Sequence, residues 1–318
     1  MWRTESKAGR GDGVQCSVFG IQWSVVDSRY SVTYGAGMEI SSVLPPDYHC
    51  HTLLCKHAEG RPVEYARAAR DCGLTEMACT EHNPAPEPFD PEHRMDLDEF
   101  ARYREWVSEA QALDGIRVLF GIEADYYEGC EAFLGKWLPE QDFDYVLGSI
   151  HYTRYERDNG HRLTGVFDAN DVEGSWARYF ALVRELAATG LYDVSAHFDL
   201  PKRFGPLPKP DVMESLVKPT LDALAQADMG LEINTSGFTH DVNEQYPSLT
   251  ILRWANERGI PISFGSDAHR PERMGGDFER AVQLAIEAGY TERAEYRKRV
   301  RTMRSLTATP DLAKESAE

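Results

Sequence analysis

From about residue 46 onward, short apolar runs typical of strands alternate with longer amphipathic stretches typical of helices. The pattern predicts strands over 47–51, 75–81, 117–124, 145–151, 193–197, 230–235 and 261–267. It predicts helices over 63–71, 97–113, 131–137, 172–188, 212–226, 247–257 and 278–288, several of them followed by glycine, as helix C-termini prefer. This alternation indicates an α/β domain built around a parallel sheet.

Seven β/α repeats of this kind can close into a barrel related to the eight-fold TIM barrel, with functional side chains at the carboxyl ends of the strands. An open doubly wound sheet is the alternative. Residues 1–44 stand apart as an N-terminal extension, either disordered or the result of a mis-assigned start, because Met38 immediately precedes the first patterned strand. A single domain is expected over 45–310, with a final helix after Tyr290, and 311–318 as a frayed tail.

Charge and composition argue against several classes of function. The formal net charge of -18 speaks against nucleic acid as a partner, because binding a phosphate backbone needs clustered Lys and Arg. No apolar run approaches the roughly 20 residues of a membrane span. The six cysteines show no CxxC pairing, which favours a reducing cytoplasm. No glycine-rich phosphate loop follows any strand, so a nucleotide cofactor has no support. The oligomeric state stays open.

Residues that bind metals cluster at the predicted carboxyl ends of the strands. His49 and His51 alternate on the first strand and therefore point to one face. Asp267 and His269 repeat this spacing after the seventh strand. The other candidates are His57, His82, Glu123, His151 and His197. A lone histidine is more often a hydrogen-bonded core or surface residue than a ligand, but the joint pattern across six strand ends favours a metal centre.

Nine nitrogen and oxygen donors exceed what one ion takes, so two or three divalent ions are expected. Imidazole with carboxylate suits Zn, Mn or Fe and argues against Ca or Mg. Glu81 is either a further ligand or, as we favour, a partner that orients the ligands. His93, His161 and His240 lie off the strand ends and are interpreted as surface histidines.

The segments DYHCHT, CKH, TEH, GIE, GSIHY, AHFD and GSDAH together resemble the polymerase and histidinol phosphatase (PHP) superfamily over about residues 46 to 290. The stretches GIEADYYEG, EINTSGF, EQYPSLTIL and GSDAHRPERMGGDF are similar to its histidinol-phosphatase branch in particular. The resemblance implies a distorted (β/α)7 barrel with a trinuclear metal centre. The implied ligand sets are His49, His51, Glu123 and Asp267 for the first ion, Glu123, His151 and His197 for the second, and His57, His82 and His269 for the third.

The implied function is metal-dependent hydrolysis of a phosphate monoester, with L-histidinol phosphate as the expected substrate in histidine biosynthesis. Two neighbouring ions lower the pKa of a shared water toward about 7, which would supply a hydroxide that attacks phosphorus in line. Glu123, Asp267 and His269 are the expected catalytic residues, and Arg203, Arg154 and Arg270 are candidates to bind the phosphate. Another small phosphate ester, a cyclic phosphodiester or a non-catalytic metal-binding domain remain the alternatives.

Overall fold

The computed structural model describes residues 44–158 and 160–306 and, nearer the N-terminus, the backbone of three short strands. These strands are β1 (Gln15–Val18), β2 (Ile21–Val26) and β3 (Arg29–Thr33), and they pair antiparallel in a sheet of their own. The rest of the expected extension before residue 44, and the expected tail over 311–318, lie outside the described residues. The division into extension, domain and tail therefore stays a prediction.

The strands that follow are β4 (Glu76–Cys79), β5 (Arg117–Asp125), β6 (Tyr145–Ser149), β7 (Tyr152–Glu156), β8 (Arg162–Gly165), β9 (Val194–Ser195), β10 (Gly230–Asn234), β11 (Ile262–Gly265), β12 (Glu292–Arg297) and β13 (Val300–Ser305). The helices are α1 (Pro62–Asp71), α2 (Phe100–Gln111), α3 (Glu131–Glu140), α4 (Val172–Thr189), α5 (Pro210–Gln226), α6 (Leu249–Asn256) and α7 (Phe278–Glu287). Each predicted helix up to residue 288 is confirmed.

A curled sheet of six parallel strands forms the centre of the fold, in the spatial order β11-β10-β9-β6-β5-β4. Local sequence signals determine where the surrounding helices begin and end. Asp171 caps the start of α4, which ends at Gly190 in the left-handed conformation, and α5 begins at Pro210. Among the described residues, no helix is long and apolar enough to cross a lipid bilayer.

The first predicted strand is present only as a short extended segment, 47–51. Its isolated bridges join Asp47 to Met77 of β4 and Cys50 to Ala268, just beyond β11. The Tyr48 amide also donates a hydrogen bond to the carbonyl of Phe264 at 2.9 Å. The segment therefore contacts both edge strands of the curled sheet, and it carries His49 and His51 to the carboxyl ends of the strands.

The final helix predicted after Tyr290 is wrong, because this part of the chain forms the antiparallel hairpin β12–β13. Its two-residue turn, Lys298 and Arg299, has positive φ at both positions, as in type I′ hairpins. Ala294 and Tyr296 are both buried, an alternation with a period of two. In a helix these two side chains would point about 200° apart. The charged residues around them obscured this short alternation.

Tyr296 fills the amino-terminal end of the curled sheet. Its ring centroid lies 4.9 Å from that of Tyr145 and 6.5 Å from that of Tyr48, and it belongs to a separate core cluster inside the sheet. The hairpin thus closes the end of the sheet opposite to the candidate site.

Replacing Tyr296 by alanine is expected to lower the free energy of unfolding by about 3–5 kcal/mol, because a buried ring is lost and a cavity remains. Urea denaturation followed by circular dichroism measures the change. The matched control is Val300→Ala in the other strand of the hairpin, where the side chain is 66% exposed. That control should shift stability by less than about 0.5 kcal/mol. Equal effects of the two variants would argue against this role of the hairpin.

Candidate metal centre

The paired histidines of segment 47–51 lie fully buried at the carboxyl ends of the strands. Their Nε2 atoms face each other at 3.1 Å. Behind them, Nδ1 of His49 is 2.6 Å from Glu232, and Nδ1 of His51 is 3.4 Å from Glu81. Because a carboxylate holds each outer nitrogen, both inner nitrogens are directed toward the same space.

Glu123, near the end of β5, is the centre of the cluster and is fully buried. Imidazole nitrogens of five residues lie 3.0 to 3.7 Å from its two oxygens: His49, His51, His82, His151 and His197. A carboxylate reached from both oxygens is suited to bridge two ions. This geometry matches the bridging position that the resemblance implies.

The last pair, Asp267 and His269, joins the cluster from the loop after β11. Oδ1 of Asp267 lies 3.3 Å from Nε2 of His51. Nε2 of His269 faces Nε2 of His57 at 2.9 Å. The structure therefore brings all nine predicted ligands to one mouth of the sheet, although they span more than two hundred positions of the chain.

Three groups of side chains have ligand atoms close enough to share an ion, all within 4.8 Å of one another. They are His49, His51 and Glu123; His82, Glu123 and His151; and His57, His82 and His269. The third contains the same residues as the expected set, and the first contains three of the four expected residues, without Asp267. The second contains His82 where His197 was expected, although Nε2 of His197 lies 3.2 Å from Glu123.

A fourth group of the same kind is formed by His51, Cys55 and His269, which adds a buried thiol that the sequence did not single out. Burial and the charge of Glu81 hold the pKa of the Cys55 thiol well above its ordinary range. The thiol is therefore protonated near neutral pH. The imidazole and carboxylate groups are the stronger candidate ligands.

The cluster contains both neutral and protonated imidazoles. Burial lowers the pKa of His82 to about 4 and that of His269 to about 3. Burial acts in the same direction on His51, but its contacts with Asp267 and Glu81 prevail and raise its pKa to about 9. The imidazoles around Glu123 and Asp267 hold the pKa of both carboxyls well below the ordinary range. The neutral imidazoles have lone pairs available to a cation.

The donors fit divalent transition metal ions. Paired imidazole nitrogens at about 3 Å, as at His49 with His51 and at His57 with His269, are close enough to ligate a common ion. Nδ1 of His82 and Oε2 of Glu123, both buried and 3.0 Å apart, form no well-aligned hydrogen bond with each other or with another described residue. Nitrogen with carboxylate oxygen is the donor set that Zn, Mn and Fe accept.

Further carboxylates hold the candidate ligands in place. Asp125 accepts a hydrogen bond from Nδ1 of His151 at 2.5 Å, and Arg94 binds its other oxygen at 2.7 Å. Glu232 contacts His49 and also accepts from the backbone amide of His197. Sequence reasoning missed all three of these supporting residues, Asp125, Arg94 and Glu232. For Asp125 a signal existed, because it lies two positions after Glu123 on the same strand face.

Replacing Asp125 by asparagine is expected to weaken binding of the ion at His151 about tenfold to a hundredfold, because outer partners orient ligating imidazoles and raise their basicity. Competition with a calibrated chelator measures the metal affinity of the purified protein. Asp98→Asn, at an exposed position of the chain, should leave that affinity unchanged. Unaltered metal affinity in the Asp125 variant would contradict this supporting role.

A cavity of about 450 Å³ opens over the cluster. Of the three arginines predicted to bind phosphate, only Arg203 lines it. Arg154 is paired with Glu156, and Arg270 is paired with Glu59, both with exposed side chains away from the lining.

One of the predicted surface histidines also borders the cavity. His93 is exposed but borders the cavity, with its ring edge-on to that of His57. His161 and His240 do not line it.

Glu81 contacts the ligands as a partner rather than facing the cavity. Its Oε2 accepts hydrogen bonds from the amide and hydroxyl of Thr52, at 2.8 and 2.6 Å, and its Oε1 lies beside His51. It is fully buried and absent from the cavity lining. The geometry supports the orienting role that the sequence favoured.

Comparison with known proteins places this site in a family. The PHP domain model matches residues 47–236, and the PHP-associated model matches residues 249–276. A protein of Deinococcus radiodurans named "Probable histidinol-phosphatase" is 40% identical over 248 residues, covering 76% of this chain and 93% of that protein. The histidinol-phosphatase of Bacillus subtilis is 27% identical over 264 residues, covering 74% of this chain and 98% of that protein.

A solved structure gives the same fold. The histidinol phosphate phosphatase of Lactococcus lactis, crystallised with zinc, L-histidinol and phosphate, superposes with a TM-score of 0.67 at 23% identity. The match covers 82% of this chain and 99% of that one. The family-model match and the 40% identical relative show that the chain belongs to the PHP family, in its histidinol-phosphatase branch.

Proposed function

We propose that this protein is a metal-dependent histidinol-phosphatase, which hydrolyses L-histidinol phosphate to L-histidinol and phosphate in histidine biosynthesis. The observation that carries the proposal is the gathering of seven histidines with Glu123 and Asp267 in one cluster, beneath a cavity that Arg203 also lines. The names of the curated relatives support this substrate. A cytoplasmic location follows from the same role and from the cysteine usage.

The proposal includes the finer geometry. The nine residues are the ligands of two or three Zn, Mn or Fe ions, and segment 47–51 is the first strand of a distorted (β/α)7 barrel. The hydrogen bonds of this segment to both edge strands support the second point. When bound, the ions would neutralise phosphoryl charge and lower the pKa of water, which are the two requirements of the reaction.

The protein's own residues supply positioning and charge. Asp267 is held by the Ser236 hydroxyl at 3.2 Å and the Asn234 amide at 3.5 Å, and as an ionised carboxylate it is suited to accept a proton from the attacking water. Neutral His269 stands beside it. The Arg203 guanidinium stacks on Phe204 and has no carboxylate partner among the described residues, so it is available to a phosphoryl oxygen.

A panel of phosphate esters tests the substrate. Phosphate release by the Mn-loaded or Zn-loaded enzyme should show a kcat/KM for L-histidinol phosphate at least about a hundredfold above those for other small monoesters and cyclic phosphodiesters. Equal rates across the panel would favour a PHP phosphoesterase with another substrate. Metal binding without any phosphate release would favour a non-catalytic domain.

A further inference from the structure

One carboxylate in the cavity takes no part in the metal cluster. Asp90 lies on the loop between β4 and α2, is only 8% exposed, and lines the same cavity as His57 and His151. It accepts a hydrogen bond from Nδ1 of His93 at 2.7 Å. The ring of His93 meets that of His57 edge-on, with centroids 5.1 Å apart. Asp90 is therefore separated from a proposed metal ligand by a single imidazole ring.

The charge of Asp90 is only partly balanced by the protein. The nearest guanidinium, that of Arg94, is 3.9 Å from Asp90 but 2.7 Å from Asp125. Arg94 also donates to the carbonyl of Asn83 at 2.8 Å, which fixes it toward Asp125. One cation thus serves two carboxylates, and a negative charge remains at the cavity wall. A partly buried negative charge attracts a cation more strongly than an exposed one does.

The neighbours of Asp90 add further acceptors. Tyr152 lines the same cavity, with its phenol oxygen close to Asp90. In the tautomer with its proton on Nδ1, His93 donates to Asp90 and leaves Nε2 as an acceptor. An ammonium group has three donors and no acceptor, which this combination of carboxylate, imidazole and phenol oxygen complements.

We propose that Asp90, with His93 and Tyr152, forms a cation subsite for an ammonium group on the alcohol part of the phosphate ester. This inference rests on the proposed function and names the feature of the substrate that the cavity selects. The site would then prefer phosphate esters of amino alcohols over the same esters without the amine. In L-histidinol phosphate the carbon bearing the amine is bonded directly to the ester methylene, so the cation lies close to the phosphoryl group. Asp90 lies on the wall of the same cavity, one imidazole ring away from His57.

The test compares two substrates in two forms of the metal-loaded enzyme. The substrates are L-histidinol phosphate and its desamino analogue, 3-(imidazol-4-yl)propyl phosphate. The variant is Asp90→Asn, because asparagine has the same size and tolerates the left-handed backbone, φ 48°, that Asp90 adopts. The variant should raise KM for the amine substrate about tenfold to a hundredfold, the loss expected for a charged hydrogen bond, and change kcat/KM for the analogue by less than about twofold.

Glu92→Gln is the matched control, since it removes the same charge from an exposed position of the same loop. It should leave the preference for the amine unchanged. The desamino analogue and the melting temperature report on folding, and metal content reports on any indirect effect through Arg94. An equal loss on both substrates in the Asp90 variant, or an unaltered preference for the amine, would overturn the cation subsite.

Failure of the proposed function would look different. In that case the wild-type enzyme would cleave L-histidinol phosphate no faster than ethyl phosphate. The subsite would still be tested by the preference for the amine, measured as the kcat/KM for 2-aminoethyl phosphate divided by that for ethyl phosphate. A preference for the aminoethyl ester that Asp90→Asn removes would support the subsite, and the same ratio in both enzymes would refute it.

Discussion

Replacing Glu123 by alanine is expected to reduce phosphatase turnover by at least about a thousandfold, because the proposed ligand between two ions would be lost together with their charge stabilisation. Imidazoles from five residues surround this carboxylate, more than surround any other predicted ligand described above. The variant should also bind fewer ions per chain. Turnover with L-histidinol phosphate and metal content by elemental analysis measure both effects.

Glu128→Ala provides the control for that experiment. Glu128 follows β5 but is exposed, so its loss should change neither turnover nor metal content. Circular dichroism of both variants establishes whether the fold is retained. Near-normal turnover of the Glu123 variant, with the full complement of metal, would contradict the assignment of Glu123 as a bridging ligand.

Exhaustive chelation is expected to remove more than about 99% of the activity, since the carboxylates and imidazoles of the cavity cannot by themselves lower the pKa of water enough at neutral pH. Added Mn or Zn should restore the activity. Added Ca should not, because calcium prefers all-oxygen ligands. The melting temperature should fall in the same samples, as ions that bind only the folded state stabilise it.

Activity that persists with no metal detectable in the protein would count against this chemistry. A chelator that inhibits by occupying the cavity must be distinguished from one that removes ions. Dialysis after chelation makes this distinction, because inhibition by occupancy is reversed by dialysis alone, whereas ion loss requires added metal for recovery.

The metal cluster was predictable because its candidate ligands follow strands whose apolar pattern is clear in the sequence. Two pairs of candidates share a spacing of two residues, His49 with His51 and Asp267 with His269. On a strand, this spacing directs both side chains of a pair to the same side. The parallel sheet then brings the strand ends together, whatever their separation along the chain. All nine candidates consequently lie in one cluster in the structure.

What sequence reasoning missed depends on tertiary contacts. Glu232 lies on β10, the one strand of the curled sheet with no assigned ligand, and its role is visible only once His49 lies beside it. The hairpin β12–β13 was mistaken for a helix because its buried alternation is confined to Ala294 and Tyr296 within a charged stretch. Arg154 and Arg270 directly follow ligand motifs, yet their side chains point to surface carboxylates, a choice that depends on loop conformation.

Segment 47–51 has a consequence beyond ligand supply. Backbone hydrogen bonds of 2.8 to 3.4 Å hold it on both sides, so it joins the two edges of the sheet at this point. His49 and His51 come from this segment, whereas Asp267 and His269 come from the chain beyond β11. Ions bound by residues of both pairs would form a further link between the two edges of the sheet. A chain without these ions would then be inactive and would also lack this additional link between the two edges.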